Sequence, residues 1–488
     1  MGSEKKPELL LLPLPIAGHM TSMLEMAKHL LDPVAGENTS PFSITVLVMN
    51  VFGSSSREIS SYVEYTTVSG LDIGFEFLPE VDPPPNAADL RAGVVLSIHV
   101  DSYKTHVEDS IAKRLKSGRS VAGIVVDFFA APIIDVANEL NVPSYVFCTT
   151  GAAMAGLMIY VGIDKTIDAN FLVDRIEDVA DYVDGFDIPG LANPVPPMSM
   201  PDPFMDKNDL VFDWFASHGR RFQKTRGILV NTFYDFEPCS LRALKQDNRF
   251  LLQNPPVYPI GPLFHQTNGK KNHNHQCIKW LDKQPPSSVV FLCFGSNGSF
   301  STEQLAEIAT VLDRTGHRFL WSVRSRSNAK FGYMEDTDKE KVFSSNFLER
   351  TKDRGLVWPS WVPQTEILSH PATAMFVTHC GWNSCLESVS LGVPMLAWPL
   401  YAEQHLNAFQ ITEEIKVGIK LTVDRRNGNW VTDNELERGI HCLMDEGCQK
   451  GRQVRENVQE MKEKAKRTLE KNGSSLLSLQ LFKEQLIH

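Results

Sequence analysis

A chain of 488 residues is longer than one hydrophobic core usually serves, so two domains are expected. Apolar residues at 42% and charged residues at 22% match an ordinary globular protein and exclude a largely disordered or fibrous one. The net charge of −11, with basic residues scattered, argues against nucleic acid as a partner, and any anionic ligand must be held by local dipoles rather than by the overall field.

At the N-terminus, Met1-Gly2-Ser3 starts like a myristoylation signal, but Lys6 stands where Ser or Thr is needed. Leu9 to Leu12 is too short for a signal peptide and is followed by Pro13 and Pro15, so it reads as a buried strand. Met20, Met23, Leu24, Ala27, Leu30 and Leu31 then recur at helical spacing, which predicts strand, Gly-containing loop and helix. Strands follow at Ile44 to Val48, Ile124 to Val126, Ser144 to Phe147 and Ile228 to Val230. Asp82-Pro83-Pro84-Pro85-Asn86 reads as a surface loop, and the apolar window Gly151 to Ile163 falls short of the ~20 residues of a membrane span.

Prolines and Gly261 crowd the stretch from Asn254 to Pro262 and predict a semi-rigid linker. The polar run Asn268 to Gln276 is a loop whose His273 and His275 lack the carboxylates to complete a metal site, and no metal is expected. The βα alternation restarts at Val289 to Phe294, followed by Gly295-Ser296-Asn297-Gly298 and a helix opened by a Ser301/Gln304 capping box. Further strands are predicted at Phe319 to Val323, Ala374 to Thr378 and Met395 to Trp398, and Val454, Val458, Met461 and Ala465 form an apolar stripe that must be buried. The pattern is α/β: two doubly wound domains at 1–253 and 266–465, a linker at 254–265 and a terminal helix at 466–488. The eight cysteines show neither CxxC pairing nor secreted-scaffold density, so free thiols and a cytoplasmic location are expected.

In open parallel sheets ligands bind beyond the carboxyl ends of the strands, which singles out three loops. Gly18-His19 follows the first strand, Asp127 follows the Ile124 strand, and His379-Cys380-Gly381-Trp382-Asn383-Ser384 follows the Ala374 strand. A His with a near-neutral pKa suits a general base, and a carboxylate such as Asp127 can fix its tautomer. From spacing alone, a surface His and a helix cap at Asp127 fit equally well. His379 to Ser384 opens a helix after a buried strand, where free amides and the helix dipole attract an anion, and the Gly295-Ser296 loop can close on the same group. GxGxxG and GxxxxGK[ST] are missing, which argues against a nicotinamide or ATP enzyme. The adjacent His379 and Cys380 do not make a thiol dyad, because neighbouring side chains rarely face each other.

The segment Trp361 to Gln404, WVPQTEILSHPATAMFVTHCGWNSCLESVSLGVPMLAWPLYAEQ, resembles the plant secondary product glycosyltransferase box in its WxPQ opening, HCGWNS, following Glu, GVP and terminal acidic-Gln pair. PxxGH near the N-terminus, VVDFF around Asp127, GILVNTF at 227–233 and VVFLCFGS at 289–296 extend the likeness over nearly the whole chain. The chain is similar to plant family-1 UDP-glycosyltransferases acting on phenolics, flavonoids, terpenoids and hormones. The resemblance implies the GT-B fold: two facing Rossmann-like domains, acceptor on the N-terminal side, UDP-sugar on the C-terminal side, and a last helix crossing back, for which the stripe after Gly451 is the candidate.

Position by position, it implies that Trp361 stacks on uracil, that the Val362 backbone and Gln364 bond the base or ribose, and that Glu387 takes the ribose hydroxyls. His379, Asn383 and Ser384, with Ser296 nearby, would hold the diphosphate. Trp382, Glu403 and Gln404 would bond the sugar, with Thr149 reaching it from the other domain. His19 matches the family's base and Asp127 its partner. The acceptor would lie against His19 and Ala402, near Pro83 to Asp89, Phe128, Phe129 and Gly151 to Tyr160. The implied reaction is inverting transfer of glucose from UDP-glucose to a hydroxyl of a small apolar acceptor, by a monomeric hexosyltransferase needing no cofactor. Ala374-Met375, where Gly-Gly is usual, and Cys385, where a small hydroxyl residue is usual, depart from the pattern; Gln404 is associated with glucose and His there with galactose. Another UDP-sugar, ester formation on a carboxylic acid, and a non-catalytic UDP-sugar-binding protein are the alternatives.

Overall fold

The computed structural model describes residues 6–32, 40–50, 63, 72–82, 84, 90, 92–163, 185–206, 209–250, 255–265, 274–326 and 334–487. The first sheet contains β1 (Glu8–Leu12), β2 (Ser43–Val48), β3 (Ile73–Phe77), β4 (Val121–Asp127), β5 (Ser144–Cys148), β6 (Gly227–Val230) and β7 (Val257–Pro259), in the order β3-β2-β1-β4-β5-β6-β7. The second lobe holds β8 (Val289–Cys293), β9 (Arg318–Ser322), a small hairpin of β10 (Arg324–Arg326) and β11 (Met334–Asp336), then β12 (Gly355–Trp358), β13 (Thr373–Thr378), β14 (Met395–Ala397) and β15 (Gly418–Lys420). Its main sheet runs β12-β9-β8-β13-β14-β15. Within both large sheets every pairing is parallel.

The central strands are continuous apolar runs because helices cover both of their faces. In β1, Leu9 and Leu11 pack with Met20, Met23 and Leu24 of the helix Ala17–Leu31, while Leu10 and Leu12 point the other way, into a cluster with Ile133 and Ile134. Each sheet reverses its strand order once, between β1 and β4 in the first and between β8 and β13 in the second. Loops leaving the carboxyl ends diverge at such points and open a crevice.

Three expectations are revised. Val257–Pro259, inside the stretch read as linker, is an edge strand parallel to β6; prolines are tolerated there because an edge strand needs only one side of its backbone paired. Ser301 caps the Gln304 amide at 3.2 Å, but the Gln304 side chain does not return the bond; it exchanges two hydrogen bonds with the backbone of Val431, at 2.9 and 3.0 Å. The apolar stripe of the helix Gln449–Thr468 stays in its own lobe, where Val458, Met461 and Ala465 pack with Cys385, Leu386 and Val389. The following helix, Ser474–Ile487, makes the crossing: its Leu479, Phe482 and Leu486 join Leu9, Leu11 and Tyr145 of the first lobe, and Lys483 donates to the Asp32 carbonyl at 2.8 Å.

The departures from the family pattern are packing features. Met375 is fully buried with Val290 and Leu292, and the register of β13 against β8 shifts between Thr373 and Met375, at the end of the strand remote from His379. Cys385 is likewise fully buried.

Candidate active site between the two lobes

The base candidate sits at the first sheet's reversal point. His19, in the first turn of the helix after β1, places Nδ1 2.7 Å from Oδ2 of the fully buried Asp127, the last residue of β4. The other Asp127 oxygen accepts the Phe129 amide at 2.9 Å and caps the 3-10 turn Phe128–Ala130. The two readings left open for Asp127, cap and partner of His19, are therefore both realised. With the Nδ1 proton directed at the carboxylate, the lone pair lies on Nε2. Burial, the largest influence on His19, opposes its charged form, but Asp127, with Glu403 of the other lobe adding to it, outweighs this and the pKa is raised. The hydroxyl of Thr149, just past β5, lies 3.1 Å from the same Nδ1.

The second lobe presents an anion site at its own reversal point. The helix Trp382–Leu391 begins at Gly381 with no side-chain cap, so its first amides are directed into the crevice. His379 lies beside it, buried, with Nδ1 lacking any protein partner. A Cβ on Gly295 or on Gly381 would stand 2.5 Å from His379 Nε2, so both backbones close on the ring in a way that glycine alone permits. Burial pushes the His379 pKa down to about 4, which leaves at neutral pH a hydrogen-bond donor without a full charge. Gln364 donates to Glu387 at 2.7 Å and to Ser384 at 2.9 Å, and burial raises the Glu387 pKa to about 7. Trp361 is 65% exposed, an unusual position for an indole, while Val362 beside it is buried and Ser296 is exposed on the facing loop.

The lobes are fastened to each other directly around these groups. The Trp382 indole N–H donates to the Asn231 carbonyl at 2.7 Å and its ring lies 5.4 Å from Phe236, so the indole is committed to the first lobe and the backbone amide is what Trp382 still offers the crevice. Asn383, expected at the diphosphate, directs its Nδ2 to the Gly18 carbonyl at 2.9 Å; its backbone remains in the helix start. Gln404 turns Oε1 onto the amides of Leu400 and Tyr401, both at 3.0 Å, and so shapes the turn that carries Ala402 and Glu403.

Two residues in these contacts were not singled out from sequence. Asn231, at the end of β6, holds Leu263 with both its amide oxygen and nitrogen, at 2.7 and 3.0 Å. Its signal was a polar side chain at a strand's carboxyl end. Glu237 accepts the amides of Ala152 and Ala153 at 2.7 and 3.0 Å and Gln410 of the second lobe at 2.9 Å, and burial raises its pKa.

Aromatic rings stand beside His19: Phe129 is half-buried, while Phe128 and Phe215 belong to the first lobe's core. Phe128 and Phe129 lie 5.6 and 5.7 Å from the His19 ring, and Phe215 meets Phe129 edge-on at 5.7 Å. The helix Ala152–Ile163, expected to line the acceptor pocket, is buried along nearly all its length, with Tyr160 and Ile163 half-buried; its apolar character serves the core. Pro84 is buried, and the rest of the expected loop from Pro83 to Asp89 lies outside the described residues. Among the described residues, one cluster with metal-ligand spacing occurs, His317, His441 and Asp445, and it includes none of the crevice residues. No helix among them is long and apolar enough to cross a membrane.

The crevice thus sets a half-buried His19 paired with a buried Asp127 on one side, and a helix start beside the buried His379, whose Nδ1 has no protein partner, on the other. A family model described as UDP-glucoronosyl and UDP-glucosyl transferase matches residues 249–455. Over 492 residues the chain is 37% identical to malvidin galactosylase UGT88C3 of Oryza sativa subsp. japonica, covering 99% of this chain and 98% of that one. It is 39% identical over 499 residues to a putative UDP-glucose flavonoid 3-O-glucosyltransferase 3 of Fragaria ananassa, with 99% and 100% covered. Among solved structures, UGT71G1 of Medicago truncatula complexed with UDP-glucose matches at a TM-score of 0.82 with 36% identity over 99% of each chain. A UDP-glucosyltransferase from Polygonum tinctorium capable of glucosylating indoxyl matches at 0.85 with 34% identity over 100% of each. The chain belongs to the plant family-1 UDP-glycosyltransferases and is a glycosyltransferase of the GT-B fold.

Proposed function

We propose that this enzyme transfers glucose from UDP-glucose, with inversion, to a hydroxyl group of a small apolar acceptor such as a flavonoid or phenol. The observation that carries the reading is the His19-Asp127 pair, placed at one lobe's reversal point and felt by Glu403 of the other. Nε2 of His19 takes the acceptor's hydroxyl proton as its oxygen bonds to the anomeric carbon, and the bond from that carbon to UDP breaks with its electrons leaving on the diphosphate. The amides starting the helix Trp382–Leu391 and the neutral His379 receive that charge. Trp361 takes the uracil face, Gln364 and Glu387 the ribose, Thr149, Glu403 and Gln404 the sugar, and the aromatic group beside His19 with Ala402 the acceptor.

Mixing the protein with UDP-glucose and a panel of flavonols, simple phenols and triterpenes should release UDP, and the anomeric coupling constant of the product should report the β configuration. No release with any acceptor would leave a UDP-sugar-binding protein. A second reading, galactose as the donor sugar, is favoured by the rice relative named a galactosylase. Replacing Gln404 by His should lower glucose transfer relative to galactose by about tenfold, and an unchanged donor ratio would count against a sugar contact.

Glu387 gives a pH signature. In the free enzyme its pKa is about 7, and ribose hydroxyls donating to it favour the carboxylate and lower that value. Below pH 7 binding must therefore expel a proton, so affinity for UDP-glucose should weaken by up to about tenfold per pH unit as pH falls. Calorimetry should show this slope, and Glu387→Gln should flatten it.

A further inference from the structure

The segment 192–204 of the first lobe is tied to the second lobe along its length. The amides of Ala192 and Asn193 donate to the Glu414 carboxylate, each at 2.9 Å. Arg425 then reaches across: its Nη1 donates to the carbonyls of Met198 and Met200 at 3.1 and 2.7 Å, and its Nη2 to Oδ1 of Asp202. Oδ2 of Asp202 accepts the Ala402 amide at 2.8 Å, and the Asp202 amide donates to the Ala402 carbonyl at 2.9 Å. The Arg425 residue is only 9% exposed, and Ala402 sits at φ 57°, at the tip of the turn that continues into Glu403 and Gln404.

The same segment is packed, through buried rings, against the aromatic group beside His19. Phe204, two residues past Asp202, meets Phe215 edge-on at 5.8 Å, Phe215 meets Phe129, and Phe129 lies against His19. One buried guanidinium and one carboxylate thus hold the acceptor side of the crevice on one hand and the sugar-facing turn on the other.

We propose that Arg425 and Asp202 are a positioning pair that sets the acceptor side against the sugar-facing turn, so that an acceptor hydroxyl rather than water meets the anomeric carbon. The assignment rests on the glucosyl-transfer reading above. If water takes the acceptor's place, its oxygen bonds to the anomeric carbon, one proton goes to His19, the bond to UDP breaks, and free glucose results. Arg425 is suited to this place because its planar fork serves three acceptors at once, which a lysine ammonium on a flexible stem cannot do in the same geometry.

The test uses the full chain as Arg425→Ala, Arg425→Lys and Asp202→Asn, with UDP-glucose and the best acceptor of the unmodified enzyme. Transfer, glucose release without acceptor, and the Kd for UDP are measured together. Arg425→Ala should raise the acceptor KM by about tenfold or more and raise hydrolysis relative to transfer several-fold, with UDP affinity held within about twofold. Arg425→Lys should fall between. If Arg425→Ala does not fold, Asp202→Asn, which keeps size and shape, carries the same readouts. Unchanged acceptor KM and partition, or a loss of UDP affinity in step with activity, would overturn the positioning role and leave the transfer reading standing. A wild-type chain that binds UDP but turns over neither acceptor nor water would overturn both.

Discussion

Replacing His19 by Ala should reduce transfer to hydroxyl acceptors by about 10²- to 10⁴-fold, with UDP affinity nearly unchanged. The loss is expected to be this large because the acceptor oxygen has to shed its proton as it attacks, and His19 is the basic group at the first sheet's reversal point. The pH dependence tests the assignment more sharply than the loss. Under the proposed mechanism transfer uses neutral His19, and its pKa is raised, so kcat/KM should fall as pH drops through a value above the ordinary histidine value. Asp127→Asn keeps an oxygen for the Phe129 amide but removes the carboxylate that raises that pKa, so the acid limb should move to lower pH while the plateau rate falls. An acid limb that stays in place in Asp127→Asn would show that another group titrates there.

Trp361→Ala should weaken UDP-glucose binding by about 1–3 kcal/mol, the range for an aromatic side chain stacked on a base, and raise the donor KM accordingly with kcat largely retained. Here the usual ambiguity of a large-to-small change is absent. At 65% exposure the indole contributes little to the fold, so thermal stability should shift by no more than about 0.5 kcal/mol. Trp361→Phe should recover part of the affinity. An unchanged donor KM in Trp361→Ala would sink the stacking role.

The strands that apolar runs revealed were the inner ones. The four main-sheet strands that they did not reveal, β3, β7, β12 and β15, are the four sheet edges. An edge strand lacks a neighbour on one side and does not need a continuous hydrophobic run. In β3 every residue is half-buried or exposed, β7 is hidden among prolines, and β15 is three residues long.

Candidate site residues could be chosen for a related reason. In open parallel sheets ligands bind at the carboxyl ends of inner strands, so strand ends pointed to His19, Asp127 and the loop from His379, and the structure brings the first two together. What was not legible is whatever joins distant parts of the chain. The Trp382 and Asn383 side chains reach the Asn231 and Gly18 carbonyls in the other lobe, and Asp202 and Arg425 meet across 223 positions. No periodicity or local motif encodes such a pairing; it exists only once two lobes have folded and closed.

Gly18 joins the two lobes directly beside His19. A Cβ at this position would stand 2.8 Å from Asn383 Nδ2, so a larger residue before His19 would push aside the side chain that docks on the Gly18 carbonyl. His19 is the next residue along one chain segment, and the anion-binding amides begin one residue before Asn383 along the other. One hydrogen bond, from Asn383 Nδ2 to the Gly18 carbonyl, therefore ties the start of the second lobe's helix to the residue beside His19, and a shift of either segment must be matched by the other.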